Sequence, residues 1–258
     1  MWRIVENRLW QLYARVYDTI LLRFLPYRRL LRVSAEALNS APGWKVLDAG
    51  CGTGNLTSHI ARTRPETLLT AVDFAPAMLR RAARKVKNNS KVTVRQVDLN
   101  RLLPFAESEF DAVVCVNVLY AVEDPERLLR ELNRVLKPNG RFVLVNPANQ
   151  PKMRFIVQEH ISELRLSQPL LWPFLLAGQV LRTLPQLLVF TLVNAHIQRQ
   201  QEYHFYSVKR LVESIGDSGF KVIRSERVYG EQCWFMICAK EFTSRGIDTH
   251  RERWAHLA

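Results

Sequence analysis

"VLDAGCGTGNLT", Val46 to Thr57, decides the reading of this chain. An apolar run ends in Asp48, glycines follow at positions 50, 52 and 54, and a helix-forming stretch opens at Asn55. A dinucleotide fingerprint requires GxGxxG after its first strand, but the spacing here is GxGxG and Asn55 follows. The phosphate-loop pattern, Gly-x4-Gly-Lys-Ser/Thr, is absent as well. What remains is an acidic strand end, a backbone free to turn sharply beside a ligand, and the amides of a helix N-terminus facing a small anionic group. A carboxylate suits that position as well as a phosphate.

Working outward, Asp73 ends the next apolar run about 20 residues later, where an acidic side chain accepts hydrogen bonds from ribose hydroxyls. Asp98 ends the third run, in reach of an exocyclic adenine amine. The implied ligand has a ribose, an adenine and a carboxylate in place of a pyrophosphate. The runs KVLDA, TLLTAVDF, KVTVRQVDL, FDAVVCVNVL and RFVLVNP alternate with helical stretches 55–63, 75–86 and PERLLRELNRVL, which ends at Lys137. Near-continuous apolar strands alternating with helices predict an α/β fold, a Rossmann-like, mostly parallel sheet of seven strands with helices on both faces. After the helix SVKRLVESIGDSG, the runs KVIRSERV and QCWFMICAK are separated only by Tyr229, Gly230 and Glu231. That gap is too short for a crossover helix, so the last two strands form an antiparallel hairpin at one end of the sheet.

The domain plan is residues 1–40 as N-terminal amphipathic helices, serving as lid or membrane contact, and 41–258 as the core domain. Residues 147–206 form a helical substrate cap inserted in that core. In the first segment Trp2, Leu9, Trp10, Tyr13, Val16, Tyr17, Ile20, Leu21 and Phe24 are flanked by Arg3, Arg8, Arg15, Arg23, Arg28, Arg29 and Arg32. The formal net charge of the 258 residues is +13, an excess that points to an anionic partner, either a membrane surface or nucleic acid. Cys51, Cys115, Cys233 and Cys238 lack metal-site spacing, so no metal is expected and reduced thiols are the default. MWRIVENRLW has Glu6 and no apolar run leading to a cleavage site, which places the chain in the cytoplasm, with the inner face of the membrane as an alternative.

On these residues the sequence resembles the class I S-adenosylmethionine-dependent methyltransferases. "DAGCGTG" looks like the first motif of that family, "VDFAPAML" like its acidic second strand, and "VDLNRLLPF" like its adenine-side aspartate. "FDAVVCVNVLYAV" and "LKPNGRFVLV" look like its fourth- and fifth-strand signatures. In type the chain is most similar to the ubiquinone/menaquinone and phospholipid N-methyltransferases. The resemblance implies that S-adenosyl-L-methionine is the cofactor. Asp48, Gly50, Cys51, Gly52 and Gly54 would hold its methionine part, and Asp73 its ribose. Phe74 and Met78 would pack on adenine, Asp98 and Leu99 would read the adenine edge, and the backbone of Asn117 would lie near the cofactor amine. Tyr17-Asp18 looks like the pair that closes over the cofactor in related enzymes.

Methyl transfer from a sulfonium needs alignment and exclusion of water more than dedicated catalytic groups. If a general base acts, Tyr120, His160 and His204 are the candidates, with His196 and Tyr203 behind them, because they lie in or beside the insertion or at the end of the fourth strand. The Asn/Asp-Pro-Pro-aromatic signature of amine methyltransferases acting on DNA bases is missing, since the fourth strand ends in Asn117-Val118-Leu119-Tyr120. Between Pro169 and His196 the insertion carries one charge, Arg182, and prolines at 173 and 185. The run is long enough to cross a membrane, which needs about 20 apolar residues, but the prolines and the arginine predict two short helices over the active site or in a membrane interface. The expected substrate is a hydrophobic or amphiphilic small molecule, a lipid amine headgroup or a quinone-like ring, methylated at an anionic membrane surface. An RNA methyltransferase, a soluble small-metabolite enzyme and a non-catalytic cofactor-binding protein stand as alternatives.

Overall fold

Alternating side chains along the central strands divide the core into two layers, one on each side of a single sheet. In the computed structural model, which describes residues 14, 16–149, 152–199 and 203–241, that sheet has seven strands in the order β3-β2-β1-β4-β5-β7-β6. The strands are β1 Lys45–Ala49, β2 Leu68–Asp73, β3 Val92–Gln96, β4 Phe110–Val116, β5 Leu136–Pro147, β6 Phe220–Val228 and β7 Cys233–Lys240. The helices are α1 Leu25–Leu38, α2 Asn55–Thr63, α3 Pro76–Val86, α4 Pro125–Val135, α5 Met153–Ser167, α6 Trp172–Arg199 and α7 Val208–Asp217.

The first five strands pair in parallel. β7 runs antiparallel between β5 and β6, so the expected terminal hairpin is present. Val46, Val114 and Val143 pack on one face with side chains of α1 and α2, whereas Leu47, Val113 and Phe142 pack on the other with those of α4 and α7. Successive residues thus serve opposite layers, which is why these strands read as unbroken apolar runs.

The strand order reverses between β1 and β4. In open α/β sheets the crevice at such a switch point, outside the carboxyl ends of the strands, is where ligands bind.

The insertion differs from its expectation. Instead of two short helices after Pro169, α6 runs unbroken for 28 residues with Pro185 inside it. Pro173 sits in the first turn, where no amide is needed. Pro185 removes the bond to the carbonyl of Leu181, yet the helix continues through both residues, which are exposed. The side chains of Trp2, Leu9, Trp10, Tyr13, Arg3, Arg8 and Arg15, invoked for the N-terminal amphipathic segment, lie outside the described residues, as does the side chain of His196.

Candidate active site

The carboxyl ends of β1 to β4 surround a cavity of about 440 Å³, a volume in the range of small-molecule sites. The loop after β1 forms its floor through steric necessity. Gly50 has φ +80°, and a Cβ there would lie 2.2 Å from Val118 Cγ2. Gly54, at φ +75°, caps α2, and a Cβ there would lie 2.8 Å from the Cα of Ala82 in α3. Both positions need glycine for conformation and for space.

Acidic side chains fix this loop from several directions. Asp73, at the end of β2, accepts hydrogen bonds from the Gly52 amide at 2.9 Å and from the Ala75 amide at 2.8 Å. Its burial raises its pKa above the usual carboxylate range. Asp48 is 2% exposed and accepts a 2.6 Å bond from the Thr57 hydroxyl. Burial pushes its pKa up to about 6, partly offset by that hydroxyl. Asp98 accepts from the Asn100 amide at 3.0 Å, and Asn100 in turn accepts from the Glu123 amide at 2.7 Å.

Asp48, Asp73, Asp98 and Glu123 all line the cavity, and none of its described lining residues is basic. In a protein of net charge +13, this is a locally negative site. A pyrophosphate or triphosphate would be repelled there, whereas a ligand carrying positive charge finds partners. The geometry therefore fits the sulfonium and ammonium groups of S-adenosylmethionine, with open space in front of Gly52, where a Cβ would meet nothing within 4 Å.

The helical residues 16–21 close one side of the cavity. Asp18 accepts from the Thr53 hydroxyl at 2.6 Å, from Asn55 Nδ2 at 3.0 Å and from Lys85 Nζ at 2.8 Å. Lys85 also donates to Asn55 Oδ1 at 2.5 Å and to Thr53 Oγ1 at 3.2 Å. One carboxylate thus joins the N-terminal segment, the glycine loop and α3. Next to it, Tyr17 lines the cavity and packs edge-on against Tyr27, whose rings are 6.3 Å apart. Tyr27 accepts from Asn55 Nδ2 at 3.3 Å, and burial pushes its hydroxyl up to about 12.

Comparison with known proteins now bears on this geometry. Residues 47–144 match the family model described as "Methyltransferase domain". Residues 47–144 form a class I S-adenosylmethionine-dependent methyltransferase domain. The chain is 36% identical over 142 residues to demethylmenaquinone methyltransferase of Tropheryma whipplei, covering 55% of this chain and 57% of that protein. It is 34% identical over 139 residues to a ubiquinone/menaquinone biosynthesis C-methyltransferase of Shewanella oneidensis, covering 51% of this chain and 55% of the relative. The chain therefore spans a little over half the length of these curated relatives. Among solved structures, a SAM dependent methyltransferase from Aquifex aeolicus superposes with TM-score 0.55 at 17% identity, over 84% of this chain and 90% of that one, a likeness of fold.

Within the methyltransferase domain, Asp48, Gly50, Cys51, Gly52, Asp73, Phe74, Met78, Asp98, Leu99 and Asn117 line the cavity together, and Tyr17 joins them from outside the domain. Phe74 is 42% exposed at the cavity lip and Met78 is 4% exposed. Asn117 adopts φ +55°, donates its amide to the Val145 carbonyl at 2.8 Å and holds its side chain near the Cys233 thiol. Burial pushes the Cys51 thiol well above its ordinary range, which keeps it protonated at the cavity wall. Gly54 does not line the cavity; it sets the approach of the loop to α3.

The proposed bases do not gather around the cavity. His160 is 2% exposed, accepts a 3.2 Å bond from the Leu25 amide at Nδ1 and pairs through Nε2 with Gln179 Oε1 at 2.9 Å. It joins α1, α5 and α6, and both ring nitrogens are used. His204 donates its amide to the Tyr120 carbonyl at 2.7 Å, and neither residue is in the cavity lining. The Tyr120 ring stacks 5.8 Å from Phe205 and 5.5 Å from Tyr203, and burial raises its hydroxyl pKa, which suits packing better than proton transfer at neutral pH. The sequence reading missed Thr53, Asn55, Tyr27 and Lys85. Thr53 and Asn55 stand inside the quoted motif and were available; Tyr27 and Lys85 carry no local signal.

Proposed function

We propose that this protein transfers a methyl group from S-adenosylmethionine to a hydrophobic or amphiphilic small molecule, first a quinone-like ring and second a lipid amine headgroup, in the cytoplasm at a membrane surface. The observation that carries the reading is the acidic cavity, without a basic side chain among its described lining residues, at the switch point of a class I methyltransferase sheet. The quinone class draws on the relatives named for menaquinone and ubiquinone biosynthesis.

In this reading Asp48 and the Gly50–Gly54 loop hold the methionine part of the cofactor. Each Asp73 oxygen accepts one backbone amide and keeps a lone pair for a ribose hydroxyl. Phe74 and Met78 face the adenine, and Asp98 with Leu99 faces its edge. Bound there, S-adenosylmethionine supplies an already activated methyl group. The protein's share is to hold the acceptor in line and keep water out. Tyr17 and Tyr27 do this from the N-terminal side, latched by Asp18 onto the loop. No general base in the cavity is required for a lipid amine that enters as its free base, or for a quinol ring whose displaced proton leaves to water after transfer, which fits the placement of Tyr120, His160 and His204 away from the cavity.

The test is transfer of labelled methyl into a bacterial lysate, partitioned into lipid, RNA and aqueous fractions, with Asp73→Ala as the blank. Label in lipid supports the reading and label in RNA overturns it. Label confined to water-soluble metabolites removes the membrane part.

A further inference from the structure

The helix α6 has two faces that the rest of the chain explains unequally. Gln179, Thr183, Gln186, Phe190 and Val193, spaced by three and four residues, form one stripe. Thr183, Phe190 and Val193 are buried, and Gln179 is bonded to His160. The opposite stripe is Phe174, Leu181, Leu184, Leu188 and Leu192, exposed by 76%, 76%, 58%, 63% and 62%. Its reach is about 27 Å at 1.5 Å per residue, and the preceding turn adds Leu170 at 86% exposure. A water-facing side this apolar requires an occupant.

By length and composition Trp172–Val193 suffices to cross a membrane. Its geometry argues otherwise. Apolar residues run around much of its circumference, but the helix is fastened to α5 and the core along the stripe from 179 to 193, where Thr183, Phe190 and Val193 are buried and Gln179 bonds His160. A helix held to the protein along that stripe can offer a lipid surface its exposed side and not its whole circumference.

Charge decides between lipid and a second copy of the chain. The protein carries net charge +13, which opposes self-association and favours an anionic surface. Around the stripe, Arg182 is exposed and the Arg165 guanidinium lies 4.3 Å from the centre of the Trp172 ring, an aromatic-cation pair suited to the headgroup level.

We propose that α6 lies in the plane of an anionic lipid surface, with Phe174, Leu181, Leu184, Leu188 and Leu192 in the boundary between headgroups and acyl chains. This rests on the reading that the acceptor is an amphiphile, and it names the surface from which that acceptor is drawn.

The test is co-sedimentation of the full chain with phosphatidylglycerol/phosphatidylcholine vesicles. Leu181→Asp combined with Leu188→Asp is expected to lower binding by at least about tenfold. Cofactor affinity and transfer to a short-chain, water-soluble quinol should be unchanged, because both side chains face away from the core. Binding equal to the parent overturns the proposal. So does a dimer, seen by analytical ultracentrifugation, that the double variant dissociates while the parent ignores vesicles. Depth separates lying from spanning: nitroxides on Phe174→Cys, Leu181→Cys, Leu188→Cys and Leu192→Cys, the native thiols being buried, should report one common shallow depth. A steady gradient from 174 to 192 would mean a spanning helix and overturn the in-plane arrangement. Methyl transfer without vesicle binding sinks this proposal alone, whereas vesicle binding with no methylated product sinks the amphiphile reading and leaves the lipid contact standing.

Discussion

Asp48→Asn sets stability against function at a single buried atom pair. Burial raises the Asp48 pKa from 3.8 to about 6, so the folded state resists ionising a carboxylate that the unfolded chain ionises freely. A shift of roughly two units corresponds to about 3 kcal/mol of destabilisation wherever both states would otherwise be charged. The sign follows directly. Below about pH 4 the group is protonated in both states and costs nothing; the cost grows as pH rises from about 4 to 6 and is complete above that. The asparagine keeps the shape and a partner for Thr57 but never pays to ionise. Its melting temperature at pH 8 should therefore exceed the parent's by about 6–12 °C, at roughly 2–4 °C per kcal/mol for a chain of this size. At pH 4 the difference should vanish. The same variant should bind S-adenosylmethionine far more weakly by calorimetry, since it has lost a charge facing a cationic ligand. Scanning calorimetry across this pH range decides the matter. No gain at pH 8, or an equal gain at pH 4, would refute the assignment of Asp48 as a buried, strained anion.

The other predictions concern the loop, its latch and the cap. In the parent, affinity for the cationic cofactor should fall as pH drops below about 6, where Asp48 gains its proton, and titration calorimetry at pH 5 and 7.5 would show it. Asp18→Ala removes acceptors from Thr53, Asn55 and Lys85 at once and should speed cofactor dissociation by about 10-fold or more, read by stopped-flow. Gly50→Ala should abolish cofactor binding through its clash with Val118. Adding Val118→Ala should restore part of it, leaving the roughly 1–2 kcal/mol cost of a left-handed non-glycine residue. His160→Ala should cost about 2–4 kcal/mol in chemical denaturation by stranding the Leu25 amide and Gln179. Its turnover should stay within about threefold of the parent, whereas loss of a general base would lower it by about 100-fold or more.

The sheet was legible because strands buried on both faces leave little choice of residue. Val46 and Leu47 serve opposite layers, so both must be apolar, and the same constraint writes β4 and β5 into the sequence. The loop was legible for a related reason: Gly50 and Gly54 sit where a Cβ has nowhere to go. Other features depend on distant partners. Lys85 stands in the basic run "RRAARK", and nothing local separates it from Arg84; only the position of Asp18 across the fold selects it. The histidines were chosen for nearness to the insertion in sequence, but His160 points into the packing between α1, α5 and α6. In the sequence Pro185 reads as a break because a missing amide usually ends a helix. That inference fails where the proline lies on an exposed stretch of helix, and exposure is a tertiary property.

The charge distribution links these parts. A surplus of +13 does nothing for a cationic cofactor; taken alone it would hinder binding. The chain answers with acidic side chains gathered at the carboxyl ends of β1 to β3 and beyond β4, in a cavity whose described lining carries no basic side chain. Low dielectric strengthens their local effect over the distant surplus, which salt screens beyond about 10 Å. If S-adenosylmethionine binds here as proposed, the same cluster would distinguish donor from product, because methyl transfer removes the positive charge on sulfur and leaves a neutral thioether. Asp48, held ionised at a cost, is best compensated while that charge is present and least once it is gone. On the proposed reading, the strain at Asp48 would favour binding before transfer and release after it, and the exterior charge would be free for an anionic surface.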